Sequence, residues 1–414
     1  MRSRTFAARL TAAAALTLAL GCAGATDPGD RPDPAIDALP RPLSAAESKV
    51  LAASNEFSFA LFRRLSEAQK DSNVFVSPLS ASMALGMAMN GAAGTTYDQM
   101  RSALSFGSAS EQDIDDGYKS LISLLRGLDP GVDVRIANSV WYRAGFRVAP
   151  AFLDVSKSAF DARVTALDFA SPTAVTTIND WVSSATAGRI PTIIDRIDRD
   201  QAMFLIDAIY FKGRWREKFD PNATIDAQFR GVAGSQPVKL MHRSGMMGVS
   251  YTPDFVAVEL AYGNGAYALT ALLPAEGKSL DALATSLQRQ TWATWTAQLH
   301  EATVDLYFPR LALEWERGLI PDLQTLGMRD AFADGVADFS RMSTGGVPLV
   351  INIVKQKTYV DLNEEGTEAA AVTNVGISVT SAPASVRFDR PFLFVIRERL
   401  SGTIVFMGKI VRMP

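Results

Sequence analysis

Apolar and polar positions follow two rhythms along this 414-residue chain. Between Ala45 and Ala68 the residues Val50, Leu51, Phe57, Leu61, Phe62 and Leu65 return every three or four positions, which predicts a helix with one buried face. After a short apolar run at 73–77, Pro78 opens a second helix through Met83, Leu85, Met87 and Met89, with small residues between them for close packing. Runs at 134–142, 202–211, 256–260, 267–273 and 304–309 predict buried strands. Runs at 392–397 and 403–411 predict two more, separated by a turn at Ser401-Gly402. Helices in the first third and strands towards the end predict an α+β fold dominated by large sheets.

The ends of the chain modify this picture. Arg2, Arg4 and Arg9 precede an uncharged apolar stretch from Leu10 to Leu20 that is too short to span a bilayer, so residues 1–22 are set aside as a signal peptide. It ends Ala19-Leu20-Gly21-Cys22, and Cys22 is the only cysteine. A small residue before a lone cysteine resembles a bacterial lipoprotein processing site, at which Cys22 is acylated. An ordinary secretory signal is the alternative. Either reading places the protein in the cell envelope or the extracellular space, with membrane attachment only through a lipid at Cys22. Residues 23–43 are crowded with Pro, Asp and Gly and read as a flexible linker. Residues 44–414 contain no comparable break and read as one domain, expected to be a monomer.

Charge and chemistry narrow the function. The net charge of −3 comes with no basic stripe, which argues against nucleic acid. A single cysteine excludes an internal disulfide framework. Only two histidines exist, His242 and His300, and neither accompanies a Gly-x-Ser-x-Gly elbow, so hydrolase chemistry is poorly supported and both read as structural. Two histidines this far apart do not make a zinc site. Neither a phosphate loop nor another cofactor motif occurs, and Gly91-Ala92-Ala93-Gly94 reads as a turn between helices.

One segment stands apart. From Thr358 through Val386 there is no Lys or Arg, and beyond Leu362 no Leu, Met or aromatic residue. Read with a period of two, Thr367, Ala369, Ala371, Thr373, Val375, Ile377 and Val379 form a face of small or β-branched side chains. The other face, from Glu368 through Thr380, keeps the charged and polar groups for water. Gly366 precedes the run and can act as a hinge. A turn followed by one helical turn is the alternative reading of Glu364 to Ala371.

At these residues the chain resembles the serpins. Glu364-Glu365-Gly366-Thr367-Glu368-Ala369-Ala370-Ala371 is similar to the inhibitory hinge of that family. Further similarities follow in order: Asn73 to Ser80, Asn179-Asp180-Trp181-Val182, Ala208 to Trp215, Leu326-Gly327-Met328, Phe388 to Phe392 and Phe406-Met407-Gly408-Lys409. The resemblance implies a serpin fold: a large central sheet with additional sheets, eight to nine helices and an exposed reactive-centre loop. It implies a suicide-substrate inhibitor of serine-type endopeptidases, not an enzyme. The protease attacks the loop, and the cut loop enters the main sheet before the acyl bond is hydrolysed.

Family spacing puts the reactive bond between Thr380 and Ser381, with Val379-Thr380 as the alternative. Small β-branched residues there imply an elastase-like or subtilisin-like target, held in covalent complex. Papain-like cysteine proteases are the alternative class of target. The resemblance also places Ser77, Ser80, Asp207, Trp215 and Gln356 where the sheet opens. Asp207 stands where most serpins have Asn, and Gln356 where many have His; the two are expected to touch. The zone from Glu111 to Arg126 offers only Lys119 and Arg126 as basic residues, so activation by heparin is not expected. The rival readings are a non-inhibitory serpin acting as carrier or chaperone, and a surface-binding lipoprotein on the same scaffold.

Overall fold

The structure, a computed structural model, describes residues 34–367 and 384–414. The signal segment, Cys22, Glu368, Ala369, Ala370, Ala371 and both candidate reactive bonds lie outside the described residues. Among the described residues, no helix is long and apolar enough to cross a membrane.

Helix α1 (Ala45–Ala68) starts at a capping box in which Ser44 and Glu47 satisfy each other's backbone N–H groups. Its far end is closed by a cation from the other end of the chain. Lys409 Nζ, fully buried, donates to the carbonyls of Ser66, Gln69 and Lys70 at 3.1, 2.7 and 3.1 Å. A positive charge there complements the helix dipole and the carbonyls left without intrahelical partners. Strand β1 (Val74–Val76) leads to α2 (Pro78–Met89), with Ser77 as N-cap and Pro78 at the first helical position. Almost every residue of α2 is buried, and its small side chains let it pack tightly. Helices α3 (Gly94–Ala103) and α4 (Glu111–Gly127) follow, joined to α2 by the predicted glycine-bounded turn.

The chain then builds one side of the main sheet with β2 (Val132–Arg143), α5 (Pro150–Phe160), β3 (Arg163–Leu167), α6 (Ala174–Ala185) and β4 (Met203–Arg214). The second sheet receives β5 (Ile225–Gly231), β6 (Gly234–Tyr251), β7 (Phe255–Ala261) and β8 (Tyr267–Pro274). After α7 (Leu280–Ser286) and α8 (Arg289–Ala297) come β9 (His300–Pro309), β10 (Leu311–Gly318), α9 (Ile320–Thr325) and β11 (Lys355–Asn363). The last strands are β12 (Gly366–Thr367), β13 (Ala384–Arg387), β14 (Phe392–Glu398) and β15 (Ile404–Ile410).

Two sheets result among the described residues. The larger runs β1-β15-β14-β8-β7-β6-β9-β13, with β5 paired to β6. The other runs β10-β11-β12-β4-β2-β3. Helix α2 lies between them, against β4 of one sheet and β15 of the other, and the main core surrounds it. The opposite face of the six-stranded sheet is covered by α6, where Trp141, Phe204 and Ile206 pack on Ile178 and Val182. Apolar side chains therefore alternate to both faces of β2 and β4, which explains their nearly continuous hydrophobic runs.

The linker reading of residues 23–43 needs correction over its described part. Ile36, Leu39 and Leu43 pack on the core, and Ile36 N–H donates to the Asn264 carbonyl at 3.1 Å. Arg41 forks onto the buried Glu47 carboxylate at 2.7 and 2.6 Å and reaches Ser120 at 2.9 Å. Three apolar residues spaced along a polar stretch, together with one charged fork, anchor it where composition alone predicted freedom.

Candidate functional site: the hinge and the sheet opening

The hinge begins where β11 ends. β11 and β12 are antiparallel, as are β12 and β4, so β4 and β11 run parallel with β12 between them. β12 has only two residues: Gly366 lies opposite Asn363 and Arg214, and Thr367 opposite Leu362 and Gly213. Among the described residues, β4 and β11 make no pairing with each other beyond this wedge.

Each residue of the turn into β12 is held by a different long-range partner. The Glu364 carboxylate accepts from Arg310 Nε at 2.7 and 2.9 Å, and from the Thr224 hydroxyl. Burial pushes this carboxyl up, but the bonds from Arg310 and Thr224 outweigh it and hold it below the ordinary glutamate range. Glu365 pairs with Lys218 at 3.1 Å, and its carbonyl accepts from Trp215 N–H at 2.8 Å. The Trp215 indole donates to the Asn363 carbonyl at 2.8 Å and stacks on Tyr262 with ring centroids 4.4 Å apart.

At Gly366 the backbone has φ +147°, and an added β-carbon would collide with the Gly213 carbonyl. Only glycine lets the chain pass that close. Thr367 is buried, and its hydroxyl bonds the Tyr262 phenol at 2.8 Å, either group donating. Burial, opposed by the Thr367 bond, raises the Tyr262 phenol above its ordinary range. The sequence reading began the mobile segment at Thr367. In the structure this residue is already inside the sheet, because Gly213 leaves room for it over the Tyr262 ring.

Further along the opening, β4 and β11 each engage α2 instead of each other. Gln356 accepts from Ser77 N–H at 2.9 Å and donates to the Ser77 carbonyl at 2.8 Å. The Ser77 hydroxyl donates to the Val405 carbonyl at 2.8 Å, tying the start of α2 to the second sheet. Ser80 donates its hydroxyl to Asp207 Oδ1. The expected Asp207–Gln356 contact is therefore not made. Where β12 lies between them, the two strands stand about 10 Å apart, twice the usual strand spacing. A cavity of about 410 Å³ opens here, lined by Ser80, Leu85, Asp207, Phe339, Ile351 and Gln356, among others.

The histidines lie elsewhere. His242 Nε2 is 2.6 Å from Asp305 Oδ1 on neighbouring strands, and its ring stacks on Tyr307. His300 is exposed, with one weak contact to the Gln298 carbonyl at 3.3 Å. Sequence reasoning missed Arg310, Thr224, Lys218 and Tyr262. They lie between 54 residues (Arg310) and more than 100 residues (Tyr262, Thr224 and Lys218) from the turn they hold, and none carries a local signal of that role.

Comparison with known proteins agrees with this geometry. A family model described as Serpin (serine protease inhibitor) matches residues 52–413. Serpin B8 of Homo sapiens is 35% identical over 368 residues, spanning 86% of this chain and 97% of that protein. Leukocyte elastase inhibitor of Equus caballus is 33% identical over 372 residues, again 86% of this chain and 97% of the relative. Among solved structures, the thermophilic serpin tengpin in its native state superposes with a TM-score of 0.82 at 27% identity, covering 92% of this chain and 97% of that one. Human thyroxine-binding globulin complexed with thyroxine gives 0.81 at 27% identity, covering 89% and 100%. Serpins are in general protease inhibitors and not enzymes, and this chain belongs to the serpin family.

Proposed function

We propose that this serpin inhibits serine-type endopeptidases of elastase-like or subtilisin-like specificity by acting as a suicide substrate. The observation that carries the reading is Thr367, seated between β4 and β11 as the first residues of a strand for which both neighbours are in place. Among the described residues, β12 meets β4 at Arg214 and Gly213, and the stretch from 203 to 212, roughly 33 Å of strand, borders the opening beyond it. Continuing the β12 register brings Ala369, Ala371 and Thr373 opposite Phe211, Ile209 and Asp207. Alanines suit the first two positions, where bulky side chains on β4 already fill the core face.

The chemistry belongs to the attacking enzyme. Its serine oxygen adds to the Thr380 carbonyl, the bond to Ser381 breaks, and the Ser381 amine leaves with a proton. The resulting ester joins the protease to Thr380, or to Val379 under the alternative register. Insertion of residues 367–380 then competes with hydrolysis of that ester. New ladder hydrogen bonds at about 1 kcal/mol net each supply on the order of 10 kcal/mol to drive it. Similarity to leukocyte elastase inhibitor supports the choice of target, as do the small residues around Thr380.

The test is to incubate the purified domain with a pancreatic-type elastase and look for a denaturant-resistant covalent complex. Mass measurement of the released C-terminal peptide identifies the cut bond. Cleavage with no complex would overturn the inhibitory reading and favour the non-inhibitory carrier. A complex with papain but not elastase would move the target to cysteine proteases. Export and lipidation at Cys22 are part of the same proposal. Cys22→Ser is expected to abolish labelling by radioactive palmitate and to release the protein from the envelope fraction.

A further inference from the structure

Five buried side-chain atoms among the described residues have no hydrogen-bond partner, and two of them face a common strand pair. They are Asn138 Oδ1 and Asp207 Oδ2, on residues directly opposite each other in the β2–β4 ladder. Directly paired residues in an antiparallel ladder point to the same face with their β-carbons about 5 Å apart. Here that face looks towards α2 and α5. The orientation of the amide is set by a third group, because Asn138 Nδ2 donates to the Phe160 carbonyl at 2.7 Å. Flipping the amide would turn its oxygen against that carbonyl, so the atom left without a partner is the acceptor Oδ1. The other carboxylate oxygen is fixed as well, since Oδ1 of Asp207 accepts from Ser80.

Two buried acceptors without partners on directly paired residues are costly, and one proton shared between them would satisfy both. We propose that Asp207 is a carboxylic acid at neutral pH and donates Oδ2–H to Asn138 Oδ1, so that a single proton ties β2, β4 and α2 together at the sheet opening.

Among the described residues lining the cavity, the one cation, Lys355, is already paired with other carboxylates. Helix α2 contains no charged residue. Strand β2 presents the neutral Asn138, and α5 the Phe160 carbonyl. From α4 comes Tyr118, whose phenol is engaged with Ser82 at 2.5 Å and is raised above its ordinary range by burial, with a small contribution from Asp207 itself. On β11 the facing residue is the neutral Gln356. Its neighbour Lys355 is paired with Glu316 at 2.7 Å and Asp195 at 3.5 Å. The remaining charges around the cavity, Asp200 and Asp334, are themselves acidic. Burial pushes the Asp207 carboxyl up to about 8, against the opposing bond from Ser80.

The sign of the pH effect follows. The carboxyl binds its proton more tightly in the folded chain than in the unfolded one, so its stabilisation is complete in acid and is lost as the pH rises towards about 8. Above that pH two acceptors confront each other and the joint between the strands and α2 loosens. That this loosening eases strand entry rests on the proposed function; the protonation itself does not.

Infrared difference spectroscopy tests it on the intact protein without any protease. The carbonyl band of a buried, protonated carboxylic acid is expected at pH 6.5, lost by pH 9.5, and missing at both in Asp207→Asn. Asn138→Ala should move that band to higher wavenumber, as the acid loses its acceptor, which a merely structural role would not do. Asp207→Asn supplies a permanent N–H donor. Its melting temperature should therefore pull ahead of wild type by about 3–6 °C between pH 6 and pH 9 and hold that lead above. A wild-type spectrum with no acid band at pH 6.5, or a melting-temperature gap that does not change with pH, would overturn the proposal. Neither outcome bears on whether the chain traps a protease.

Discussion

Gly366 is the most tightly constrained residue of the candidate hinge, since any β-carbon there strikes the Gly213 carbonyl. Gly366→Val is expected to expel Thr367 from its seat over Tyr262 and to convert the chain from inhibitor to substrate. The yield of covalent complex with elastase, read on a denaturing gel, should fall at least tenfold while cleavage continues. Glu364 makes a second, pH-dependent prediction. Its carboxyl is held below the ordinary range, so the anchoring by Arg310 and Thr224 is present at neutral pH and is lost as the pH falls through the lowered value. Melting curves of wild type and Glu364→Gln should differ at pH 7 and converge in strong acid. A constant difference would mean that the charge is not what holds the turn. Gly366 and the two glutamates were legible in sequence, whereas their partners were not. The expectation that Asp207 meets Gln356 failed for a related reason: each residue satisfies itself on the nearer α2, and the strand register keeps them apart.

At the scale of elements, periodicity located the first two helices and many of the strands. The helix from Ala45, Pro78 at the start of α2, and the apolar runs that became β2, β4, β7, β8 and β14 all reached their predicted places. Strand β6 was not foreseen over its 18 residues. It contains Pro237 and two internal glycines, and three different strands, β5, β9 and β7, hold it extended. Pairing partners distant in sequence override such weak local preference. Lys409 joins elements in the same long-range way. Lys409→Met, which keeps the length of the side chain, strips three carbonyls at the end of α1 of their donor. The cost should be about 2–4 kcal/mol in chemical denaturation of the uncleaved protein. A loss below about 0.5 kcal/mol would show that the carbonyls find other partners.

For the whole molecule the decisive property is the opening between β4 and β11, which the described residues enter only with β12. If residues 367–380 fill it after cleavage, a single nick near Thr380 should raise the melting temperature by more than about 10 °C, since several kcal/mol of new pairing are gained. Calorimetry before and after limited elastase digestion measures this directly. An unchanged transition would mean that the uncleaved sheet stores no free energy for trapping an enzyme.

Sequence alone determined a pattern suited to a strand: small and β-branched side chains on one face, a glycine at the start, and the absence of bulk or positive charge between. These are local properties of composition and spacing, so they can be read without coordinates. Tertiary structure decided where that strand begins and what restrains it. The register of two residues against β4 and β11 seats Thr367, while Arg310, Lys218, Tyr262 and α2 come to the site from remote parts of the chain. Likewise, only the pairing of β2 with β4 sets Asn138 against Asp207. Hydrogen bonds and ion pairs act over a few ångströms, and which groups come that close depends on the packing of the entire chain.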